Sequence, residues 1–568
     1  MNQHPKEVKT NLEYLRKLFI MPDSPDKFIE FGHDLLEMLH DFFQEKGGIH
    51  SAITLPALSE IFNQTAVPDS PKLIKDVLGE IKGKIVKHSV KVGNPYYIGH
   101  MTSAIPYFMI LLEMIIAALN QNQVKIETAK ASSFVERELV SWLHRLIFIK
   151  ANKYYQKNVQ NHRVALGNIT SDGTLANLTA MFVAREKAFP PDGDFPGLRM
   201  SGVEKAMRYY GYSKGVFLVS KRGHYSIVKS ANVLGIGEEN VISIPVDRNN
   251  RMDIKKLRRK VNALHSESKK EGRTKIIAII GIAGTTETGS VDNLQEMEAV
   301  ARETGAHFHV DACWGGSAML VDDYRPLFSG IEKADSVTID AHKLLYCPMT
   351  MGIVLFRNEK DVHFIRHSSQ YVIRRNSVDT GRFTIEGSRP FACLKPWAAL
   401  KIIGKEGYGL LFKQAQKSTS NLKKILDNCG NFETLNNPQL FILIYRFIPA
   451  IAKGQLIEWK NSKPSLRAKD KIKSIEQKIR KVNNLINGLN IKLHKALRRD
   501  DTSFVSRTTV ESTTYRPQNI VVLRAVLINP LTNGQILNEI VATQNRIGMG
   551  VWREFEPVFE RLRKDGGK

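Results

Sequence analysis

Seven short apolar runs, rich in β-branched residues, recur between residues 163 and 358 of this 568-residue chain. They are apolar nearly throughout, as strands buried on both faces are. Helical stretches such as NLQEMEAVARETG (293–305) separate several of them. Strand–helix alternation on this scale predicts an α/β fold built on a mostly parallel, seven-stranded sheet. The runs are RVALGN (163–168), GVFLVS (215–220), NVISIPV (240–246), KIIAIIGIAG (275–284), HFHVDA (307–312), SVTID (336–340) and GIVLFRN (352–358).

The regions on either side have a different texture. Residues before about 120 contain helical patterns such as FIEFGHDLLEMLHDFF (28–43). Beyond residue 404, helical stretches are mixed with strand-like LFILIYRFI (440–448) and NIVVLRAVLINP (519–530), which is typical of a small α+β domain. A single core rarely exceeds roughly 300 residues. We therefore expect an N-terminal helical segment (1–120), a large α/β domain (121–404) and a C-terminal α+β domain (405–568).

The charge is the unusual quantity in the composition. Lys and Arg number 82 against 57 Asp and Glu, a formal net charge of +25. Such a balance suggests a nucleic-acid-binding protein. The densest basic segment, 452–500, holds 14 Lys and Arg but a single aromatic residue, Trp459. Proteins that bind single-stranded nucleic acid usually interleave basic residues with aromatic side chains. This interpretation therefore ranks low, and we expect no specific nucleic-acid partner.

Cysteines and apolar stretches indicate the compartment. The four cysteines contain no CxxC pair, so neither a disulfide framework nor a structural zinc site is expected. The N-terminus lacks the apolar stretch of a signal peptide. The most apolar stretch, 104–119, contains Glu113 and is shorter than the roughly 20 residues that span a bilayer. We expect a cytoplasmic protein with no membrane span and no metal.

Polar residues follow two strands at the edge where ligands bind in open α/β sheets. Asp311 ends the strand in HVDACWGG (309–316), where a carboxylate could pair with a protonated ring nitrogen or simply cap a helix. Lys343 follows the strand 336–340 and precedes apolar residues. In an apolar pocket such a lysine loses its proton readily and becomes a nucleophile. The alternative is a solvated surface lysine.

A third strand end supplies an anion site. In GNITSDGTLANL (167–178), a loop with Ser171 and Thr174 precedes a long helix, whose N-terminus can bind an anion or can be an ordinary capped end. The spacing is not that of a nucleotide P-loop. An anion cradle, a carboxylate and an amine are together what pyridoxal phosphate requires. His224, after the strand 215–220, could stack on its ring.

The motifs that carry these residues resemble the group II pyridoxal-phosphate decarboxylases, which act on glutamate, aspartate, cysteine sulfinate or aromatic amino acids. The resemblance runs from about Asn94 to Pro530. It implies the PLP-dependent transferase fold type I, which is aspartate-aminotransferase-like. GHMTSAIPYFM and VTIDAHK look closest to the bacterial aspartate 1-decarboxylase branch. The other motifs are NPYYIGHMTS, SDGTLANL, GHYSIVKSANVLGIG, AGTTETGSVDNLQEM, HFHVDACWGG and EGSRPFACLKPW.

The resemblance implies roles at the cofactor site. Lys343 matches the lysine that forms an aldimine with the cofactor, and Asp311 matches the carboxylate that pairs with the pyridinium nitrogen. His224 matches the histidine stacked on the ring. Thr286, in GTT, matches a threonine near the ring hydroxyl or the aspartate. Matching positions on the phosphate side or under the ring are Asp172, Gly173, Thr174, Ser336, His342 and Cys313, the last in place of an alanine.

Three further points concern the phosphate side, the proton donor and the substrate. Asp340 stands where many relatives have asparagine, which weakens a phosphate role there. The donor to the α-carbon is often a loop tyrosine in relatives; the loop 367–390 has only Tyr371, and His224 is the other candidate. An acidic substrate needs a cation for its distal carboxylate. Arg524 matches a substrate-carboxylate arginine of glutamate decarboxylases, while Arg389 and His100 are further substrate-side candidates.

The resemblance therefore implies α-decarboxylation of an acidic L-amino acid through the Lys343 aldimine and a quinonoid intermediate. L-Aspartate, giving β-alanine and CO2, ranks ahead of glutamate, which would give γ-aminobutyrate. Another fold-type-I carbon–carbon lyase is the remaining enzyme alternative. The family also implies a homodimer with active sites at the subunit interface. Part of the N-terminal helical segment would then wrap the partner.

Overall fold

The computed structural model describes residues 12–45, 47–367, 377–462, 469–515 and 518–564. Its eleven strands form a seven-stranded and a four-stranded sheet within that part of the chain. The strands are β1 Gly167–Thr170, β2 Tyr212–Ser220, β3 Val241–Ile244, β4 Arg273–Ile282, β5 His307–Asp311, β6 Ser336–Asp340, β7 Gly352–Phe356, β8 Phe432–Thr434, β9 Ile442–Phe447, β10 Ser506–Glu511 and β11 Asn519–Val526.

Helices account for most of the remaining described residues, together with a π-helical turn at Ile81–Ile85 and several short 3-10 turns. The α-helices are α1 Leu12–Arg16, α2 Phe28–Gln44, α3 Leu55–Ile61, α4 Ile74–Glu80, α5 Tyr107–Leu119, α6 Ala131–Phe148, α7 Asn152–Asn158, α8 Gly173–Ala188, α9 Leu198–Tyr209, α10 Ser226–Val233, α11 Ile254–Glu271, α12 Leu294–Thr304, α13 Leu394–Ile402, α14 Gly404–Cys429, α15 Ala450–Asn461, α16 Lys469–Asp500 and α17 Gly534–Lys564.

The large sheet has the order β1-β7-β6-β5-β4-β2-β3, and only β7 runs antiparallel to its neighbours. The predicted mostly parallel seven-stranded α/β fold is confirmed. β6 matches its predicted run residue for residue, whereas β1 begins four residues later than expected. The turn in which the Val164 N–H bonds to the Asn161 carbonyl delays the entry of the chain into the sheet.

Helices cover both faces of the large sheet, which explains why its strands are apolar without alternation. Helices α8, α9 and α10 pack on one face around Met181, Phe217 and Ile280. Helices α6, α11 and α12 pack on the other around Leu143, Met297 and Phe308. The interior of the sheet is therefore fixed, and polar side chains gather at the carboxyl ends of its strands.

The small sheet, ordered β10-β11-β9-β8, is antiparallel throughout. A segment from the N-terminal region joins it: the Ile98 N–H bonds to the Phe504 carbonyl at 3.0 Å and the Val526 N–H to the Ile98 carbonyl at 2.6 Å. This pairing brings residues 99 and 100 to β11. The three-part division at residues 120 and 404 stays a prediction.

The basic segment 452–500 forms α15 and α16. A fully buried apolar stripe on α16, including Val482, Ile486, Leu489 and Leu493, packs into the same core as Leu523 of β11. The helix is thus held by an ordinary apolar face, and charged residues such as Arg480, Lys481 and Lys492 lie exposed outside it. Across the described part of the chain, no helix is both long and apolar enough to cross a membrane.

Candidate active site

Lys343 lies in the turn that follows β6, and its Nζ atom is 2.8 Å from the Oδ2 atom of Asp340. Burial by itself would lower the pKa of Lys343, but the charge and hydrogen bond of Asp340 outweigh it and raise the pKa. The expectation of a lysine deprotonated by an apolar pocket was therefore wrong. Lys343 is an ammonium ion here because a buried carboxylate accompanies it.

Asp311, at the end of β5, is buried and accepts hydrogen bonds at both carboxylate oxygens. The Cys313 N–H donates to Oδ1 at 3.1 Å and the Asn177 Nδ2 donates to Oδ2 at 3.0 Å. Burial favours the protonated acid, but His309, Lys343 and His224 around it hold the pKa of Asp311 below its usual value. The structure thus presents an ionised carboxylate where one was predicted.

His224 follows β2 and is connected to Asp311 through two side chains. Its Nδ1 atom lies 2.9 Å from the Oγ atom of Ser226, and that oxygen accepts a hydrogen bond from Asn177 at 3.0 Å. Burial lowers the pKa of His224, despite the opposing influence of Asp311. A neutral imidazole therefore stands near the carboxylate, as the stacking role would require.

The N-terminus of α8 makes the expected anion cradle. Asp172 caps the helix by accepting the Leu175 N–H at 2.8 Å, so its carboxylate has a structural role. The N–H groups of Gly173 and Thr174, in the first turn, have no intrahelical acceptor. A Cβ atom at Gly173 would lie 2.7 Å from the Asp340 carboxylate and from Cys313 Sγ. Glycine therefore lets the helix start approach the strand ends closely.

Two other predicted phosphate-side residues lie in different places. His342 is beside the cradle: its Nε2 is 3.7 Å from Asp340 Oδ2, and its Nδ1 contacts the backbone of Met351. Ser336, by contrast, begins β6 and bonds to His307 and His309 at 2.8 Å each. Four residues of strand, about 13 Å, separate Ser336 from Asp340. A phosphate contact for Ser336 is therefore not supported.

A cleft of about 830 Å³ opens beside Lys343 and His342. Its other walls come from the end of α2, from residues 90–96 and 102–105, and from Tyr346 and Leu531. A ligand attached to Lys343 can therefore extend toward the segment that joins the small sheet.

Arg524, on β11, is buried, and its hydrogen bonds within the described ranges all go to uncharged acceptors. Nε donates to the Thr286 carbonyl at 2.7 Å, and Nη1 donates to the Gly99 carbonyl and to Ser506 Oγ at 3.2 Å each. Nη2 has no acceptor among the described residues. Burial lowers the pKa of Arg524 to about 10, against the influence of Glu287. A buried guanidinium whose Nη2 lacks an acceptor in the described part of the chain is thus available to an anion.

His100 and Thr286 lie next to this arginine. Partial removal from water and the charges of Arg524, Lys343 and His342 lower the pKa of His100, so the imidazole belongs to the same cluster. His100 Nδ1 contacts Thr102 Oγ1 at 2.8 Å. Thr286 offers its backbone carbonyl to Arg524. A contact of its hydroxyl with Asp311 is not seen within the described ranges.

Arg389 lies elsewhere and is already paired. Its Nη1 and Nη2 atoms bond to both carboxylate oxygens of Glu136 at 3.2 and 3.0 Å, and Nη1 also bonds to the Ile169 carbonyl. Both side chains are buried. A bidentate buried pair leaves no charge for a ligand, so the structure does not support Arg389 as a substrate clamp. Tyr371 lies outside the described residues, and its role stays a prediction.

Comparison with known proteins fits this geometry. Residues 56–448 match the family model of the pyridoxal-dependent decarboxylase conserved domain. The chain is 38% identical over 546 residues to an aspartate 1-decarboxylase of Aliivibrio fischeri, which covers 95% of both proteins. It is 25% identical to an L-2,4-diaminobutyrate decarboxylase of Acinetobacter baumannii over 64% of this chain and 69% of that protein. This chain belongs to the pyridoxal-dependent decarboxylase family.

Solved structures show the same fold. The crystal structure of mouse CSAD in apo form superposes with a TM-score of 0.76 at 21% identity, covering 92% of this chain and 99% of that one. The fold type I architecture is thereby confirmed, and the protein is a pyridoxal-phosphate-dependent amino-acid decarboxylase.

The residues of this decarboxylase fit its cofactor. Gly173 gives a cradle that any larger side chain would fill, and the first turn of α8 offers backbone N–H groups that have no intrahelical acceptor. Lys343 supplies an amine and Asp311 an ionised carboxylate at neighbouring strand ends. Cys313 is buried, and burial raises the pKa of its thiol well above the ordinary value, so it remains a packing residue.

Three residues of the decarboxylase site have no counterpart in the predicted set: Asn177, His309 and Thr338. All are buried and hydrogen-bonded to each other or to Asp311. Asn177 lies one helical turn beyond Gly173, so a polar residue on the buried side of α8 was the available signal. Its partners on β5 and β6 could be identified only from the sheet order.

Proposed function

We propose that this decarboxylase converts L-aspartate to β-alanine and CO2. The charge distribution around Arg524 carries the proposal: a buried guanidinium, whose Nη2 has no acceptor among the described residues, lies in one cluster with His100, Lys343 and His342. A cationic cluster suits a substrate with two carboxylates. It disfavours a distal ammonium group, which L-2,4-diaminobutyrate carries. The identity to the Aliivibrio fischeri protein supports the same choice.

Each residue then has a task. Pyridoxal phosphate, when bound, supplies the electron sink for the electron pair released with CO2. Lys343 would provide the amine that attaches it, and Asp311 would keep the ring nitrogen protonated. The N–H groups of Gly173 and Thr174, with His342 beside them, would bind the phosphate. Arg524 would bind a substrate carboxylate, with His100 beside it.

The proton donor to the α-carbon follows from position. His224 is neutral and next to the Asp311 network. We propose that it faces the cofactor ring and protonates the α-carbon, directly or through Tyr371. A neutral imidazole can act as donor through Nε2, because its Nδ1 is occupied by Ser226. A His224→Gln variant that keeps full turnover would exclude this role.

The test of substrate choice is a panel of amino acids. Purified holoenzyme is incubated with L-aspartate, L-glutamate, L-cysteine sulfinate and L-2,4-diaminobutyrate, and both CO2 and the product amine are quantified. The proposal expects the highest kcat/KM with L-aspartate and formation of β-alanine. Highest efficiency with L-glutamate would establish the alternative that γ-aminobutyrate is the product. Preference for L-2,4-diaminobutyrate would overturn the role of the cationic cluster.

We also propose that the decarboxylase is a cytoplasmic homodimer. Helix α5 buries only Met109 and Ile116, while Leu111, Ile115 and Leu119 are 42%, 46% and 50% exposed. Such an apolar face fits a second copy of the chain. Ile115→Glu should shift the molar mass measured by light scattering toward the monomer. An unchanged dimer mass, or a monomeric wild type, would contradict the assignment.

A further inference from the structure

Asn177 uses both ends of its side-chain amide inside the site. The Oδ1 atom accepts from His309 Nε2 at 3.0 Å and from Thr338 Oγ1 at 2.9 Å. The Nδ2 atom donates to Asp311 Oδ2 and to Ser226 Oγ, at 3.0 Å each. The side chain is 1% exposed. One amide therefore links four elements, α8, β5, β6 and α10.

The groups around Asn177 determine which way its amide points. His307 Nε2 and His309 Nδ1 each lie 2.8 Å from the single hydroxyl of Ser336. Burial lowers the pKa of His309 to about 4, so its ring is neutral and carries one proton. The ionised carboxylate of Asp311 can only accept, so the NH2 group of Asn177 faces Asp311 and Ser226. The Oδ1 atom then faces His309, whose ring proton lies on Nε2 while Nδ1 accepts from Ser336.

The other end of the network determines the tautomer of His224. Asn177 donates to Ser226 Oγ, so the hydroxyl proton of Ser226 is free to bond to His224 Nδ1 at 2.9 Å. The Ser226 backbone N–H also points at Nδ1, at 3.3 Å. With two donors on Nδ1, the ring proton of neutral His224 resides on Nε2.

We propose that Asn177 is a positioning residue that fixes two groups at once: the ionised carboxylate of Asp311 and the Nε2–H tautomer of His224. The inference rests on the proposed function only for the reaction these groups serve. Two sets of hydrogen bonds leave the Asn177 NH2 group. The bond to Asp311, the Asp311 branch, affects cofactor binding. The bond to Ser226, the Ser226 branch, affects turnover through His224.

Asn177→Asp tests the first branch, because it replaces the NH2 donor with an oxygen beside Asp311 at equal size. We expect the dissociation constant for pyridoxal phosphate to rise about tenfold, the effect typical of losing a group that orients a functional side chain. We also expect the pH titration of the bound-cofactor absorbance to shift. Ser226→Ala tests the second branch: it removes the shorter of the two bonds to His224 Nδ1 and leaves only the backbone N–H at 3.3 Å, so kcat should fall about tenfold with KM and cofactor affinity unchanged.

Thr179→Val is the matched control. Thr179 is buried on the same helix, but in the part of the chain that the structure describes its hydroxyl bonds to the Leu175 carbonyl alone, at 2.8 Å. It should leave both cofactor affinity and kcat unchanged. Thermal unfolding of each apo variant reports folding, and Ser226→Ala keeps the inference testable if Asn177→Asp does not fold.

Wild-type cofactor affinity and an unshifted titration in Asn177→Asp, or wild-type kcat in Ser226→Ala, would overturn the inference. A wild-type enzyme that binds cofactor but does not decarboxylate L-aspartate would refute the proposed function alone. In that case the cofactor affinity of Asn177→Asp still decides the positioning role, because it requires no substrate.

Discussion

The buried arginines Arg389 and Arg524 show how differently one fold can treat the same side chain. Both are 6% exposed. Arg389 is held by both oxygens of the buried carboxylate of Glu136, 253 positions away in the sequence. Arg524 meets two backbone carbonyls and a serine hydroxyl, and its Nη2 has no acceptor in the described part of the chain.

We expect this difference to separate a charge that stabilises the fold from a charge that binds the substrate. A buried charge is costly unless it is paired. The pair with Glu136 compensates the charge of Arg389 within the fold and connects α6 to the segment before α13. Arg524 does not, so an anionic ligand would complete its surroundings. The sequence offered both as substrate clamps, and only the partners distinguish them.

The largest effect should come from breaking the paired arginine. Arg389→Met leaves Glu136 as an uncompensated buried charge, which typically costs about 3–5 kcal/mol. Urea unfolding should show this loss. The double variant Glu136→Leu/Arg389→Met removes both charges and should recover much of the stability. Full stability in Arg389→Met, together with loss of L-aspartate turnover, would reverse the assignment of the two arginines.

The unpaired arginine should show the opposite pattern. Arg524→Met should lower kcat/KM for L-aspartate about 100-fold, or about 2.7 kcal/mol, by removing a charge-assisted contact. Its free energy of unfolding should fall far less than in Arg389→Met. Arg524→Lys retains the charge without the planar fork, so an intermediate kcat/KM is expected. An unchanged kcat/KM in Arg524→Met would show that Arg524 does not bind the substrate carboxylate.

Buried histidines sharpen the comparison through pH. Burial lowers the pKa of His144, on the same helix as Glu136, to about 3, and that of His309, in the site, to about 4. The unfolded value is about 6.5. Below pH 6.5 the unfolded chain binds more protons than the folded chain, so the free energy of unfolding falls as the pH is lowered. Each histidine contributes a fall of about 1.4 kcal/mol per pH unit, down to about pH 4. His144→Gln should flatten the slope of unfolding free energy between pH 6.5 and 5; an unchanged slope would mean that His144 is charged in the fold.

The smallest effect concerns Lys343, whose charge is paired within the site itself. Asp340→Asn removes the carboxylate that raises the pKa of Lys343. More of the lysine is then uncharged at pH 7.5, so the rate of cofactor capture by apoenzyme should rise about threefold to tenfold. Stopped-flow absorbance measures it. A slower rate would show that Asp340 assists capture, for example by orienting the amine.

The fold was largely predictable because strands buried on both faces are continuous apolar runs. The predicted runs coincide with β1–β7 to within a few residues. Asp311, Lys343, His224 and Gly173 could be predicted because each lies at the end of a strand or within a few residues after it, where ligands of such sheets bind. Ser336 was misplaced because a motif does not show which end of its strand a residue occupies.

Partners far apart in sequence could not be predicted. The Glu136–Arg389 pair spans 253 positions and the Asn177–His309 bond spans 132. Nothing near Arg389 indicates its carboxylate, and nothing near Asn177 indicates that it meets β5 and β6. The sequence identified the two arginines as candidates by their charge alone. Whether a buried carboxylate neutralises each charge depends on the tertiary structure, and we expect that to decide the role of each arginine.

The central prediction for this active site is that Lys343 attaches the cofactor. Holoenzyme reduced with borohydride and digested should yield one pyridoxyl-modified peptide, containing Lys343, by mass spectrometry. The modification should be absent from Lys343→Ala, whose apo form should be less stable than the wild type because the buried carboxylate of Asp340 loses its partner. A modification on another lysine, or an intact one in Lys343→Ala, would contradict the site described.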